Sequence, residues 1–477
     1  MDDVEVAIVG AGPTGLALAC ELRLAGVSCR VLERRTDEPN LTRAFAVHAR
    51  TLELLDARGL GDELVPKGIV VREVQPAPGA TLSLATLPTR YPMVLIVAQS
   101  GTEKLLAARA TELGAQIVKG AEVVGLEQDA DGVTLRFTGG DSCRAKYVVG
   151  ADGAHSTVRR LLGVDFVGKQ YETHIILADV TLSRPPQQTL FGVSTHKGLA
   201  LFVPFGDEWF RAIVWDRTRE DAPLDEPVTL AELRGSFQRI AGDDYGMGEP
   251  RWRTRFLSER RQARSYRVGR VFLAGDAAHV HSPIGGQGMN TGIQDALNLG
   301  WKLAAELGDR AAPGLLDTYQ AERHPVGESV LKLTDALSKL VMSGSRAGAA
   351  LRRTVIRVAI HVAPVRNRLA MRLSGLGIAY DHPSGTHPWV GRRMPDIEVV
   401  GGRLYQVLRD GRFVLIGQSV PGYTDRITAV APRNPHTPPT VLVRPDGYVA
   451  WAADRPDADA TAAVKQWCGR PAIAEAR

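Results

Sequence analysis

The stretch Arg270–Trp301, RVFLAGDAAHVHSPIGGQGMNTGIQDALNLGW, decides the fold. Val271 to Ala274 read as a strand, Gly275-Asp276 as a sharp turn, and Pro283, Gly285, Gly286 and Gly288 as a loop. Ile293, Leu297 and Trp301 then recur at helical spacing, so the loop ends at a helix start. The first turn of a helix leaves backbone N–H groups unpaired, with the positive end of the helix dipole behind them. Such a cradle suits a ligand that carries or develops negative charge, and its glycines let a flat ligand lie against the backbone.

The N-terminal segment holds a second glycine turn. VEVAIV (Val4–Val9) is an apolar run of strand length, and Gly10-Ala11-Gly12-Pro13-Thr14-Gly15 is G-x-G-x-x-G. LALACELRLAG predicts a helix over 16–26, and Ser28 to Leu32 a second strand closed by Glu33. In that setting the glycines have separate tasks: a tight turn, close approach of a pyrophosphate, and close packing of helix on strand. The acid is placed to accept hydrogen bonds from ribose hydroxyls. The pattern predicts a dinucleotide of the FAD or NAD kind, with Arg34, Arg35 and Arg43 as candidates to clamp its pyrophosphate.

KYVVGADGAHSTVRRLLG (146–163) repeats strand, glycine turn and helix around Asp152, which reads equally well as a helix cap. Before it, MVLIVAQSGTEKLLAARATELGA switches from strand to helix at Gln99, with Thr102 as a cap, and a hairpin turns at Asp129 to Gly132. From Phe166 to about Arg264 the chain turns β-rich, with HIILADVTL, LALFVPF and WFRAIVWDR as strands. This predicts an antiparallel sheet inserted between the nucleotide-binding segments, one face of it roofing Asp276. After the cradle the pattern stays helical to 375 with a kink or break at Pro325, and short strands from His382 on suggest a separate α/β domain. The expected division is 1–165 with 266–330, an inserted 166–265, a helical linker 331–380, and 381–477.

At 477 residues the chain is long enough for two or three cores. Its net charge of +5 comes from scattered arginine, with no basic run interleaved with aromatics, which argues against nucleic acid. The four cysteines, Cys20, Cys29, Cys143 and Cys468, form no C-x-x-C pair or metal-ligand spacing, so no metal is expected and a reducing cytoplasm fits. No signal-like segment opens the sequence and its apolar runs are too short to span a bilayer, so the expectation is a cytoplasmic protein away from membranes.

Three ordered features, GAGPTG, GADG at Gly150 to Gly153, and LAGDAAHVHSPIGGQGMNTGIQDALNLGWKL, resemble the single-component (class A) FAD-dependent aromatic hydroxylases typified by p-hydroxybenzoate hydroxylase. Within that family the likeness is to the branch acting on polycyclic aromatic polyketides and rifamycin-type antibiotics, and it covers roughly residues 3 to 330. The resemblance implies a Rossmann-like FAD-binding domain, an antiparallel-sheet substrate domain and a thioredoxin-like C-terminal domain lacking the redox cysteines. It implies that Gly10, Gly12, Thr14 and Gly15 hold the FAD pyrophosphate, Glu33 the adenosine ribose, and Arg34 and Arg43 the phosphates and ribityl region. Gln99 would contact the ribityl chain or flavin, and Val123 the adenine. Asp152 would be structural and serve both FAD and NADPH or NADH handling, with Thr157 on the next helix. Asp276 would bind ribityl hydroxyls, Pro283 would lie by the flavin, and Gly288, Met289 and Asn290 would meet the isoalloxazine edge. Two departures stand out: His155 where arginine is frequent, and Ser282-Pro283-Ile284 before GGQG.

The chemistry implied is reduction of FAD by NADPH or NADH, addition of O₂ at flavin C4a, and transfer of one oxygen atom from the hydroperoxide to an electron-rich aromatic ring. No residue announces itself as the base that would deprotonate a phenol, so the catalytic residue is unknown at this level. On the inserted sheet His174, His196, Arg211 and Asp216 are candidates for contact with a small aromatic substrate, with Trp209 and Trp215 as stacking surfaces. Packing roles explain each of them equally well, as they do for His279 and His281. Baeyer–Villiger oxygenation, a flavin-dependent dehydrogenase and a non-catalytic flavoprotein remain open, as do NADPH against NADH and monomer against homodimer.

Overall fold

The computed structural model describes residues 3–37, 44–77, 80–341, 355, 360–433, 439–456 and 458–471. Val4–Val9 (β1) lies at the centre of the first sheet, its last four residues buried, with Ser142–Gly150 on one side and Cys29–Glu33 (β2) on the other. The parallel order runs Val271–Leu273, Ser142–Gly150, β1, β2, Gln116–Lys119, and the Val123–Gln128/Val133–Phe137 hairpin adds antiparallel to Ser142–Gly150. Helix Pro13–Leu24 (α1) begins inside the glycine motif, three residues earlier than the sequence pattern predicted, because Pro13 at the first position has its φ preset and no N–H to waste.

The stretch Gln287–Leu307 forms the cradle helix, which packs on α1. A Cβ at Gly292 would fall 2.2 Å from Thr14 Oγ1, and one at Gly300 2.5 Å from Glu21 Cβ, so small residues eight apart let the two helices approach closely. The next helix, Asp317–Val341, runs through Pro325 without ending. A proline there removes one backbone donor, but Arg323, Val326 and Val330 on either side are buried, and that packing outweighs the break. The expected boundary at 330 therefore falls inside a continuous helix.

The inserted sheet is antiparallel, in the order Phe191–Thr195, Gly198–Pro204, Trp209–Asp216, Phe166–Thr181, Trp252–Ala263, His279–Val280. Its edge strand is the segment just before the cradle loop, so the sheet is hydrogen-bonded to the cradle rather than merely roofing it. Ile176, Ala178, Val180, Ala200, Phe202, Ala212 and Val214 cover one face and pack on helix Leu230–Ala241, where Phe202 and Phe237 stack at 4.3 Å. Alternation places Ile175, Leu177, Leu201, Ile213, Trp252 and Phe256 on the other face, against Phe45.

In the C-terminal region the strand order is Ile427–Val430, Phe413–Ile416, Thr440–Val443, Val449–Ala453, with the first pair parallel and the rest antiparallel. This is the mixed sheet of a thioredoxin-like fold. It docks on the first sheet's domain through buried charge. Arg58 pairs with Glu21 at 2.5 Å and donates to the Leu408 and Pro445 carbonyls, while Arg50 reaches Glu53, Tyr405 and the Asp446 carbonyl. The C-terminal region is thus bonded to the molecule's core.

Candidate functional site

The three glycine turns meet at one edge. Val9 lies beside Gly150, and Gly150 beside Leu273, so the chain leaves three adjacent parallel strands at the same level, the carboxyl edge where α/β sheets bind ligands. Hydrogen bonds from Gly10 N–H to Leu32 O, Ala151 N–H to Val9 O and Ala274 N–H to Gly150 O hold the turns together. The glycines of the first turn divide their work visibly. Gly10 has φ +106°, and a Cβ there would sit 2.4 Å from the Ala151 carbonyl oxygen; one at Gly15 would sit 2.1 Å from Gly10 O. Gly12, with φ −78° and ψ 178°, adopts a conformation open to any residue, and a Cβ there meets nothing within 4 Å. The fold demands the outer glycines; the middle one faces space.

The Gly275–Ala277 turn presents Asp276 outward, exposed while the residues on both sides of it are buried. Asp295 of the cradle helix fixes that turn: its Oδ2 accepts from Gly275 N–H at 3.0 Å and lies 2.7 Å from His279 Nε2, and its Oδ1 takes Arg323 Nε at 2.7 Å. Burial alone would raise the Asp295 pKa, but Arg323 and His279 hold it below the usual carboxylate range. Arg159 closes the far side by donating to Ala277 O at 2.9 Å.

Gly286, φ +63°, precedes the cradle helix and offers no side-chain cap, and the first turn holds no acidic residue. Its N–H groups therefore face the same edge with their positive field uncompensated. The Asn290 side chain accepts from His48 N–H at 2.8 Å and donates to the Ala46 and Gly286 carbonyls, tying the helix start to the Ala46–Val47 strand.

Glu33 reaches the edge, but its carboxylate already accepts from Ala11 N–H at 3.0 Å and from Arg35. Burial by itself would raise its pKa; these hydrogen bonds hold it lower. Arg35 closes over Glu33 while Arg34 is exposed. Arg43 lies outside the described residues. Gln99 accepts from Ala44 N–H at 2.9 Å, anchoring the end of that segment. Gln99 also begins its helix, so Thr102 is a buried residue of the first turn rather than the cap. Val123 is buried at the start of its strand. Asp152 caps the helix that opens at Thr157, accepting from Thr157 and Val158 N–H at 2.7 and 3.1 Å, and backs onto Gly10. The Thr14 hydroxyl is wedged between Gly275 and Gly292, so its side chain packs the turn. Met289 buries its side chain in the core, and Pro283 and Gly288 line the cradle half-buried.

The substrate candidates scatter. His174 sits at an irregularity opposite Leu257, His196 on the turn joining Phe191–Thr195 to Gly198–Pro204, and Trp209 under Arg251 at 4.5 Å. Arg211 and Trp215 share the Ile213 face but are buried and engaged, Arg211 with Asp179 at 2.6 Å and Trp215 through Nε1–H with Glu220 at 2.8 Å. Asp216 is likewise spent on Arg239. Their partners lie on neighbouring strands or beyond the strand end, which residue type does not reveal.

His48, Arg159, Asp295 and Arg323 were missed, since each reads as an ordinary helix or loop residue until the chain folds. His48 is buried beside Gly286 with its pKa pushed down to about 4 by burial, against an ordinary 6.5. Below pH 6.5 the unfolded chain binds this proton and the folded one does not, so stability falls as pH drops from 6.5 toward 4. The loss through His48 amounts to about 3 kcal/mol at the acid end. Denaturant titrations of wild type and His48→Asn across that range should show the slope in wild type and a flatter line in the variant.

A sheet edge with an open middle glycine, an outward carboxylate and an uncapped helix start fits the parts of FAD: pyrophosphate, ribityl hydroxyls and the electron-poor ring. These features define an FAD-binding oxidoreductase. Residues 3–334 match the FAD binding domain family, and 387–471 match the family described as aromatic-ring hydroxylase, C-terminal. The chain is 43% identical over 464 residues to the rifampicin monooxygenase of Streptomyces venezuelae, spanning 94% of this chain and 96% of that one. OxyS anhydrotetracycline hydroxylase from Streptomyces rimosus matches with a TM-score of 0.88 at 40% identity, over 99% of this chain and 100% of that one. The Diels–Alderase PyrE3 of pyrroindomycin biosynthesis matches at 0.86 and 34%, over 98% and 100%. The chain belongs to the FAD-dependent aromatic-ring hydroxylases. Among the described residues no helix is long and apolar enough to cross a membrane.

Proposed function

We propose that this chain is an NADPH- or NADH-dependent FAD monooxygenase that hydroxylates a bulky polycyclic aromatic polyketide or antibiotic, with O₂ as co-substrate. The observation that carries the reading is the second face of the inserted sheet. Ile175, Leu177, Leu201, Ile213, Trp252 and Phe256 make an apolar surface against Phe45, whose neighbour Ala46 is bonded to Asn290 at the cradle. An extended aromatic seated on that face would gain about 2.5 kcal/mol for each 100 Å² of apolar surface removed from water.

FAD, once reduced, supplies the oxygen-activating chemistry. The glycine turn at Gly10 to Gly15 would hold its pyrophosphate, Asp276 its ribityl hydroxyls, and the N–H groups from Gly288 to Asn290 the pyrimidine edge of its ring. Those N–H donors favour negative charge on that edge, an effect of up to about 3 kcal/mol per donor in a water-excluded site. The sheet face keeps water from the reacting atoms. Asp179 on that face is held by Arg211 at 2.6 Å.

The likeness to rifampicin monooxygenase and to anhydrotetracycline hydroxylase supports oxygen transfer to a polycyclic ring. A second reading, ring formation on the same scaffold without oxygen transfer, is favoured by the likeness to PyrE3. Product mass separates them: one added oxygen atom for the first, none for the second. Leu201→Ala, at a partly buried position of that face, should lower kcat/KM for a turned-over polycycle about tenfold, on the order of 1.4 kcal/mol, while FAD content holds. Unchanged kcat/KM would remove this face from substrate binding.

A further inference from the structure

The loop His281–Gly286 carries a polar group that neither the fold nor the roles above use. His281 Nδ1 lies 2.9 Å from the Ser282 carbonyl oxygen, which can only accept, so Nδ1 bears the proton. In the neutral ring Nε2 is then a bare acceptor, and it is buried with no hydrogen-bond partner. Burial, the largest influence on this ring, lowers its basicity and keeps it neutral. A buried acceptor without a donor costs about 1–3 kcal/mol, so its persistence calls for a partner from outside the chain.

The position of Nε2 identifies that partner's chemistry. A Cβ built on Gly288 would lie 3.7 Å from His281 Nε2 and 3.6 Å from Asp276 Oδ1, so the two acceptors converge on one point at the start of the cradle helix. Gly288 itself adds no side chain there. Two acceptors flanking one spot suit a group with several hydroxyl donors in succession, which describes a sugar-alcohol chain and not a planar ring or a phosphate.

We propose that His281 is an FAD-binding residue whose neutral Nε2 accepts a hydrogen bond from a ribityl hydroxyl, opposite Asp276. The inference rests on the FAD placement given under Proposed function. Its test uses full-length apoprotein titrated with FAD by flavin fluorescence quenching, comparing wild type with His281→Leu, His281→Gln and Asp276→Ala, each checked for folding by circular dichroism. His281→Leu keeps bulk but no acceptor and should weaken FAD binding about fivefold to tenfold. His281→Gln returns an acceptor to the same reach and should recover affinity to within about twofold, which a packing role would not do. The flavin absorption band of the loaded protein should shift in the leucine variant and return in the glutamine one. Equal affinity in wild type and His281→Leu, or equal losses in both His281 variants, overturns the role given to Nε2. An Asp276→Ala protein that binds FAD as wild type does overturns the placement of FAD itself, and the His281 proposal with it.

Discussion

Gly12→Asp should fold at least as well as wild type and lose FAD. At φ −78° and ψ 178°, Gly12 occupies the N-cap of α1 without a side-chain cap, and an added Cβ meets no protein atom within 4 Å. Aspartate is a favoured N-cap residue and glycine only slightly less so, so the apoprotein should be unchanged or steadier by about 0.3 kcal/mol. The same carboxylate would occupy and charge the space reserved for a pyrophosphate, and affinity for FAD should drop more than about a hundredfold, or about 2.7 kcal/mol. Apoproteins must be compared, since bound FAD stabilises by mass action. Gly15→Ala supplies the contrast: its Cβ would collide with Gly10 O at 2.1 Å, so stability and FAD should be lost together. A Gly12→Asp protein that retains FAD would show that the open space serves something else.

Asp295→Ala should be the most damaging single change near the cradle. Asp295 is fully buried and answers three groups at once: Gly275 N–H, His279 and the buried guanidinium of Arg323. Removing it strands a buried cation, at a cost of about 3–5 kcal/mol. It also frees the turn that aims Asp276, so FAD should be lost on gel filtration. Urea denaturation and the flavin-to-protein absorbance ratio report the two effects. A loss below about 1 kcal/mol with full flavin content would mean that the turn is set by the glycines and Arg159 alone.

Much of this site was legible because each glycine motif is local: strand, turn and helix lie within thirty residues, and parallel register then brings the three turns to one edge. Which of two adjacent arginines would fold back on Glu33 was not legible, since Arg34 and Arg35 have the same chemistry and differ only in direction after the strand ends. The apolar face was hidden for a related reason. In Ile175-Ile176-Leu177 both faces of the strand are covered, so alternation does not say which one meets the helix and which the cradle. Arg211 and Trp215 lie on the right face yet are taken by Asp179 and Glu220, partners fixed by strand pairing. The docking arginines Arg50, Arg58 and Arg444 looked like surface charge, and only the folded chain shows them buried against Glu53, Glu21 and Glu322.

The deciding measurement is the rate of NADPH and NADH oxidation by the purified FAD-loaded protein, with and without naphthacene, angucycline and rifamycin compounds, together with product mass. At least one polycycle should accelerate oxidation and emerge heavier by one oxygen atom. If every compound leaves the rate unchanged, or is converted with no gain of oxygen, the assignment of this chain as a monooxygenase of polycyclic aromatics is contradicted.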